Sequence, residues 1–269
     1  MIVAALDARD ALSRLCAACV PLAAAGVELV VVDGGSGDGS EQVVATVPGA
    51  RWLSEPDTGI ADAWNKALRL ATGDWLLFAG ADDRLGPPDA WRRTLHLLDG
   101  LPPDVSLVAL PVTVVSPRGS QLARAEPPPE AGVSRRQAVE AVPHQGLFAR
   151  REVFARVGGF DPSFRLAADY DWLLRAVFGG EGLVVRPETS PVSMTFGGLS
   201  THAPLRTLRE RRRAQDKQGV RGPRIAWWLA WSRAAVRHVL QTCCGRRMAC
   251  WLADCGRRIR GLRPVWSVP

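Results

Sequence analysis

The chain has 269 residues, 47% of them hydrophobic and 23% charged, a globular composition with ample material for a core. At this length one large α/β domain with a tail fits better than two full domains. The formal charge of +7 is uneven: residues 205–269 hold 16 Lys and Arg against 3 Asp and Glu, whereas residues 1–204 hold 18 against 24. A mildly acidic body and a strongly basic tail direct the tail towards something anionic, a membrane or nucleic acid.

The first 80 residues alternate strand and helix signals. Ile2 to Leu6 is a short apolar run, and Asp7, Arg9 and Asp10 end it, so no secretory leader is expected. Leu12, Leu15, Cys16, Cys19 and Val20 have helical spacing over residues 11–22. Glu28 to Val32 (ELVVV) reads as a buried parallel strand that ends in the polar loop DGGSGDGS, residues 33–40. A short helix over 40–47 and a short strand at 51–53 follow. Residues 60–71 are amphipathic, with Ile60, Ala63, Trp64, Ala67, Leu68 and Ala71 on one face. Asp74 to Ala79 (DWLLFA) is another buried strand, ending in Asp82-Asp83. This rhythm predicts a Rossmann-like parallel sheet. Further on, residues 107–115 read as one strand despite Pro111, 117–134 as a Pro- and Gly-rich loop or lid, 151–157 and 168–177 as helices, and 183–185 as a strand. From Leu205 the chain is helical and Arg-rich. No uninterrupted apolar stretch reaches ~18 residues, so no spanning helix is expected. Of the six cysteines, Cys16 and Cys19 form a single CxxC with no second pair to complete a zinc set. They read as small apolar residues on a helix face.

The chemistry gathers at strand ends. Asp33 follows ELVVV and Asp82-Asp83 follow DWLLFA. Ligands of open parallel sheets bind outside the carboxyl ends of the strands, so both clusters face one crevice. Carboxylates gathered there repel one another unless a cation or a donor-rich ligand lies between them. Mg²⁺ or Mn²⁺ carrying a diphosphate meets that need with hard oxygen ligands. The bland alternative for Asp82-Asp83 is a turn or cap before Pro87. A dinucleotide site fits poorly: Gly35 to Gly39 is GxGxG rather than GxGxxG, follows the second strand, and carries the anionic Asp38.

Three segments, in order, resemble family 2 glycosyltransferases of the GT-A fold. ELVVVDGGSGDGS resembles their nucleotide-binding segment, SEPDTGIADAWNKALRLATGDWLLFAGADD the next block, and VPHQGLFARREVFARVGGFDPSFRLAADYDWLLR the acceptor-side block. The resemblance spans residues 28–175 and continues weakly through Gly197-Gly198. It implies a GT-A domain over residues 1–204, with a nucleotide-sugar half at 1–83 and an acceptor half at 84–204, followed by a basic helical tail at 205–269. It implies that Asp33 and Asp57 contact the donor's base and ribose. Asp62, Asn65 and Lys66 lie in the same block, where some only shape the loop. Asp82 and Asp83 stand in the metal-binding motif, although Gly80 occupies the place where relatives carry the first Asp. Asp169 takes the place of the catalytic base, with Ala168 where relatives carry Glu, and Asp171 is the next carboxylate along. His144 and Gln145 line the sugar or acceptor pocket, and His202 matches the general position of a metal-holding His in some relatives. At the N-terminus Asp7 stands where relatives carry an Asn-like turn residue.

Asp169 and His144 also have structural readings, as a first-turn acid favoured by the helix dipole and as part of a hydrogen-bonded pair. The expected activity is inverting sugar transfer from a nucleotide-diphosphate sugar, with a glycan or lipid-linked acceptor in bacterial surface polysaccharide synthesis. The chain is expected in the cytoplasm, at the inner face of the membrane. A nucleotide-sugar-binding protein without turnover is one rival. A nucleotidyltransferase is another, but it would want a basic phosphate loop where DGGSGDGS is acidic. Residues 224–241 can be drawn as a helix with Ile225, Trp228, Trp231, Ala235 and Val239 opposite Arg233, Arg237 and Gln241. That pattern, with further Arg up to Arg263, predicts a helix lying on an anionic membrane. No recognised nucleic-acid module accompanies the charge, so a nucleic-acid partner is not expected.

Overall fold

The computed structural model describes residues 1–128, 134–198, 203–220, 224–243 and 254–255. Four strands build the parallel half: β1 (Ile2–Ala5), β2 (Val30–Asp33), β3 (Arg51–Ser54) and β4 (Trp75–Gly80). Between them run α1 (Arg9–Ala23), α2 (Ser40–Val44) and α3 (Ile60–Leu70). The second half holds β5 (Arg84–Leu85), α4 (Pro88–Asp99), β6 (Val105–Ala109), β7 (Val112–Val115), β8 (Gln121–Ala125) and α5 (Arg135–Ala141). A 3₁₀ turn at His144–Gly146 then leads into β9 (Leu147–Arg150), α6 (Arg151–Val157), α7 (Ala168–Phe178), β10 (Gly182–Val185) and β11 (Val192–Thr195). The basic region forms α8 (Pro204–Lys217) and α9 (Arg224–Cys243).

Seven strands make one sheet in the order β10-β6-β9-β4-β1-β2-β3. All neighbours are parallel except β9, which runs antiparallel to both β4 and β6. Both faces are covered, which is why these strands read as continuous apolar runs. Side chains alternate between the faces. Ile2, Val30, Val32, Leu76 and Phe78 pack with Trp64, Phe154 and Trp172 on the side of α3, α6 and α7. Val3, Val31, Leu77 and Ala79 pack with Leu12, Leu15, Cys16, Trp91 and Leu98 on the side of α1 and α4. Cys16 and Cys19 are free, buried thiols of that second cluster.

The register brings the chemistry to one edge. Ala5 pairs with Asp33, Asp33 with Ser54, and Ala4 with Gly80. The carboxyl ends of β1 to β4 therefore lie side by side.

Three readings change. The expected strand over 107–115 is two strands in different sheets, broken at Pro111, whose missing N–H ends the ladder. β7 leaves the main sheet for a second one, ordered β5-β11-β7-β8. The expected lid over 117–134 contains β8, which pairs antiparallel with β7, while residues 129–133 lie outside the described residues. Among the described side chains of α9 the exposed large apolar ones are Trp228, Leu229, Val236 and Val239, and Ala234 is buried. At 100° per residue these four share an arc of about 100°, turned from the expected one. The side chains of Ile225, Arg233, Arg237 and Gln241, the tail Arg from Arg246 on, and His202 lie outside the described residues.

Candidate active site

Asp33 closes β2 and is fully buried. Its Oδ2 accepts from Gly35 N (3.0 Å), Ser36 N (2.7 Å) and Ser54 Oγ (2.7 Å), and its Oδ1 from Ser36 Oγ. Burial pushes its pKa up, but those hydrogen bonds pull harder and hold the carboxyl below the usual range. Asp33 thus ties the loop 33–40 to β3. Asp57 lies across the same gap: a Cβ added at Gly34 would meet its Oδ2 at 2.9 Å, so glycine lets the two loops touch. Its other oxygen accepts from Gly59 N at 2.8 Å.

Asp62 and Lys66 hold the loop in front of α3. Asp62 accepts from Thr58 N at 2.9 Å, and Lys66 Nζ donates to Pro56 O at 2.7 Å and pairs with Glu55 at 3.1 Å. Asn65 reaches the acceptor half: its amide both donates to Phe160 O and accepts from Phe160 N, each at 2.8 Å.

The acidic pair after β4 divides. Asp83 is buried, 6% exposed, and accepts from Gly80 N (2.8 Å), Thr195 N (2.9 Å) and the side chain of Gln145. Burial pushes its pKa up to about 6 against these hydrogen bonds, and the neighbouring Asp82 charge adds to the rise. Asp82 is exposed. A Cβ at Gly80 would lie 2.8 Å from Asp82 Oδ1 and 3.3 Å from Asp83 Oδ2. The glycine in place of the family's Asp therefore leaves room for both carboxylates to fold back over the strand end. Two carboxylates there suit a hard cation. Among the described residues no three His, Cys, Asp or Glu side chains gather into a metal cage. A bound Mg²⁺ or Mn²⁺ would thus fill its shell from water and ligand oxygens, the usual habit of Mg²⁺.

Asp169 stands in the first turn of α7, its side chain 36% exposed. His144 Nδ1 lies 4.0 Å from its Oδ2. The ring of His144 is wedged between Trp64 (centroids 4.9 Å) and Phe78 (5.8 Å). Burial pushes its pKa below the usual histidine value, against the pull of Asp169. The side-chain nitrogen Nε2 is buried without a hydrogen-bond partner. Asp171, the neighbouring acid, is fully buried and paired with Arg175 at 3.0 Å, which leaves Asp169 as the carboxylate that a ligand reaches.

His144 and Gln145 therefore join the two acidic centres, one beside Asp169 and the other on Asp83. Thr195 ties Asp82 and Asp83 from β11, its Oγ1 donating to Asp82 O at 2.7 Å. Nothing in the sequence marks Thr195 for this, since 112 residues separate it from Asp83. Glu210 of α8 accepts from three successive N–H groups, Arg165 (2.9 Å), Leu166 (2.7 Å) and Ala167 (3.2 Å), in the loop that leads into Asp169. Its only mark in the sequence is an acid set within the Arg-rich run 209–213.

The sheet, with acids at the carboxyl ends of its strands, is the fold of GT-A glycosyltransferases. A mannosyltransferase from Pyrobaculum calidifontis, solved with GDP-Man and Mn²⁺, superimposes with a TM-score of 0.61 at 20% identity, covering 98% of this chain and 80% of that one. Glucosyl-3-phosphoglycerate synthase from Mycobacterium tuberculosis, solved with Mn²⁺ and UDP, gives 0.56 at 18% identity, covering 82% and 80%. Residues 2–158 match the profile of glycosyl transferase family 2, and the chain belongs to that family. An uncharacterized glycosyltransferase of M. tuberculosis is 35% identical over 166 residues, 60% of this chain and 61% of that protein. A PGL/p-HBAD biosynthesis glycosyltransferase of Mycobacterium bovis is 32% identical over 201 residues, 72% of this chain and 75% of that protein. The match thus spans about three fifths of the first relative's length.

Proposed function

We propose that this chain transfers a sugar from a nucleotide-diphosphate sugar to an acceptor hydroxyl, with Asp169 as the general base. The observation that supports the reading is that consecutive residues touch the two acidic centres, Gln145 bonding Asp83 and His144 lying 4.0 Å from the half-exposed Asp169. Donor binding is assigned to the loops of Asp33, Asp57 and Asp62, with Lys66 bracing the loop floor. Asp82 and Asp83 would hold a Mg²⁺ or Mn²⁺, which would supply charge to offset that growing on the leaving diphosphate. Asp169 takes the acceptor proton as the oxygen attacks the anomeric carbon. His144 Nδ1 lies 4.0 Å from that carboxylate, a neighbour beyond direct hydrogen-bond reach. A single displacement inverts the anomeric centre.

The acceptor is a hydroxyl on a lipid-linked molecule of the bacterial surface, presented at the inner face of the membrane. Two features support that reading: the basic tail and the exposed Trp228, Leu229, Val236 and Val239 on α9. No described helix is long and apolar enough to cross a membrane.

A screen of UDP-, GDP- and dTDP-sugars with Mn²⁺, following release of the nucleoside diphosphate, tests the activity. Release from one donor class that stops with EDTA is the expected result. Tight donor binding with no release from any of them, with or without acceptor extracts, would leave a binding protein instead.

A further inference from the structure

Arg165 reaches from the acceptor half onto the donor loop. Its backbone is fixed: Arg165 N donates to Glu210 at 2.9 Å, in the same clamp that holds Leu166 and Ala167 ahead of Asp169. Its side chain lies against Gly59. A Cβ added at Gly59 would meet Arg165 Nη1 at 2.7 Å, Cδ at 3.4 Å and Cζ at 3.6 Å. Gly59 has φ +132°, so glycine permits both this backbone turn and the close approach of the guanidinium. Asp57, of the proposed donor contacts, accepts from Gly59 N at 2.8 Å. Arg165 is exposed, and among the described residues its guanidinium has no hydrogen-bond or ion-pair partner. Two other cations beside the acidic loops are engaged. Lys66 holds Pro56 O and Glu55, and Arg84, next to the acidic pair, donates to Pro117 O at 2.8 Å.

We infer that Arg165 is a donor-binding residue whose guanidinium contacts the β-phosphate of the nucleotide-diphosphate sugar. The inference rests on the transfer reading above. In that reading the sugar–phosphate bond lies between the loop of Asp57 and the carboxylate of Asp169. Arg165 links these two places, with its backbone on the loop of Asp169 and its guanidinium on Gly59. Charge asks for a cation there. Asp57, Asp62, Asp82, Asp83 and Asp169 all belong to this crevice, and the ionised Asp82-Asp83 pair would match the charge of a divalent cation. A diphosphate arriving among them still meets like charge. A planar guanidinium with five N–H donors suits phosphate oxygens bidentately. In transfer the acceptor oxygen bonds to the anomeric carbon, the electron pair of the breaking carbon–oxygen bond passes to the β-phosphate oxygen, and Asp169 takes the acceptor proton. Arg165 faces the charge that grows on that leaving oxygen.

Ligand-observed NMR titration of the full chain with Mg²⁺ compares UDP, GDP and dTDP with UMP, GMP and dTMP, so that only the β-phosphate differs within a pair. Arg165→Gln removes the charge, and Arg165→Lys keeps it without the planar fork. Because the side chain is exposed, both variants are expected to melt with the wild type. For the base that the wild type binds, Arg165→Gln is expected to weaken the diphosphate at least about tenfold and the monophosphate less than about threefold. Arg165→Lys is expected to recover part of the diphosphate affinity. Equal losses for the two nucleotides would make Arg165 a brace of the Gly59 loop, and an undiminished diphosphate affinity would remove it from the site. Either result overturns the inference and leaves the transfer reading standing. A wild-type protein that binds none of these nucleotides loses the transfer reading and the role of Arg165 together.

Discussion

Asp83 turns inward to Gly80 N and Thr195 N, while Asp82 faces solvent one residue earlier. The same residue type therefore has two tasks, and mutation separates them. Asp82→Ala is expected to abolish the EDTA-sensitive part of nucleoside diphosphate binding in calorimetry, with the melting temperature unchanged. Asp83→Ala is expected to lower stability as well, because it strips an acceptor from buried N–H donors, each costing about 1–3 kcal/mol when unpaired. Full Mn²⁺-dependent binding in Asp82→Ala would move the cation elsewhere. The sequence showed where these acids lie, since each follows a buried strand. It did not show that Asp33 would be consumed by its own loop, because its partners Ser36 and Ser54 are common polar residues with no pattern linking them. Nor did it show Gln145 on Asp83 or His144 beside Asp169. Those contacts depend on β9 running antiparallel to β4, which no local signal states.

Among elements, α8 matters more than its composition suggests. Arg-rich and near the end of the chain, it reads as a solvated tail. In the structure its buried Glu210 and Gln215 hold the loop before α7 and Tyr170, and the exposed Lys217 pairs with Asp161. Glu210→Ala is expected to destabilise the protein by about 2–3 kcal/mol in urea unfolding, since it leaves donors of the 165–167 loop unpaired. Glu210→Gln keeps an acceptor and is expected to recover most of that loss. Equal stability of the alanine variant and the wild type would show that the loop holds itself. The strongly patterned elements were legible: β2 and β4 by their apolar runs, α3 by its stripe. β8 was hidden in the stretch 117–134, rich in Pro, Gly and Ala, and the two-strand break at Pro111 was hidden by uniformly apolar neighbours.

At the scale of the molecule, an acidic body carries a basic end. α9 packs on α8, and α8 holds the loop of the proposed base, so the exposed Trp228, Leu229, Val236 and Val239 share a scaffold with Asp169. A membrane anchor there would bring the crevice to a lipid-borne acceptor. Deleting residues 222–269 is expected to release the protein from anionic liposomes in flotation and to spare donor binding. Flotation equal to that of the full chain would dismiss the anchor and leave α9 as packing. The proposed role of Asp169 as the base that deprotonates the acceptor is tested most directly by comparing Asp169→Asn with wild type for both donor affinity and transfer rate. Asn cannot take the hydroxyl proton, so transfer is expected to fall ~10²–10⁴-fold while donor affinity holds. Transfer near the wild-type rate in Asp169→Asn would contradict the account.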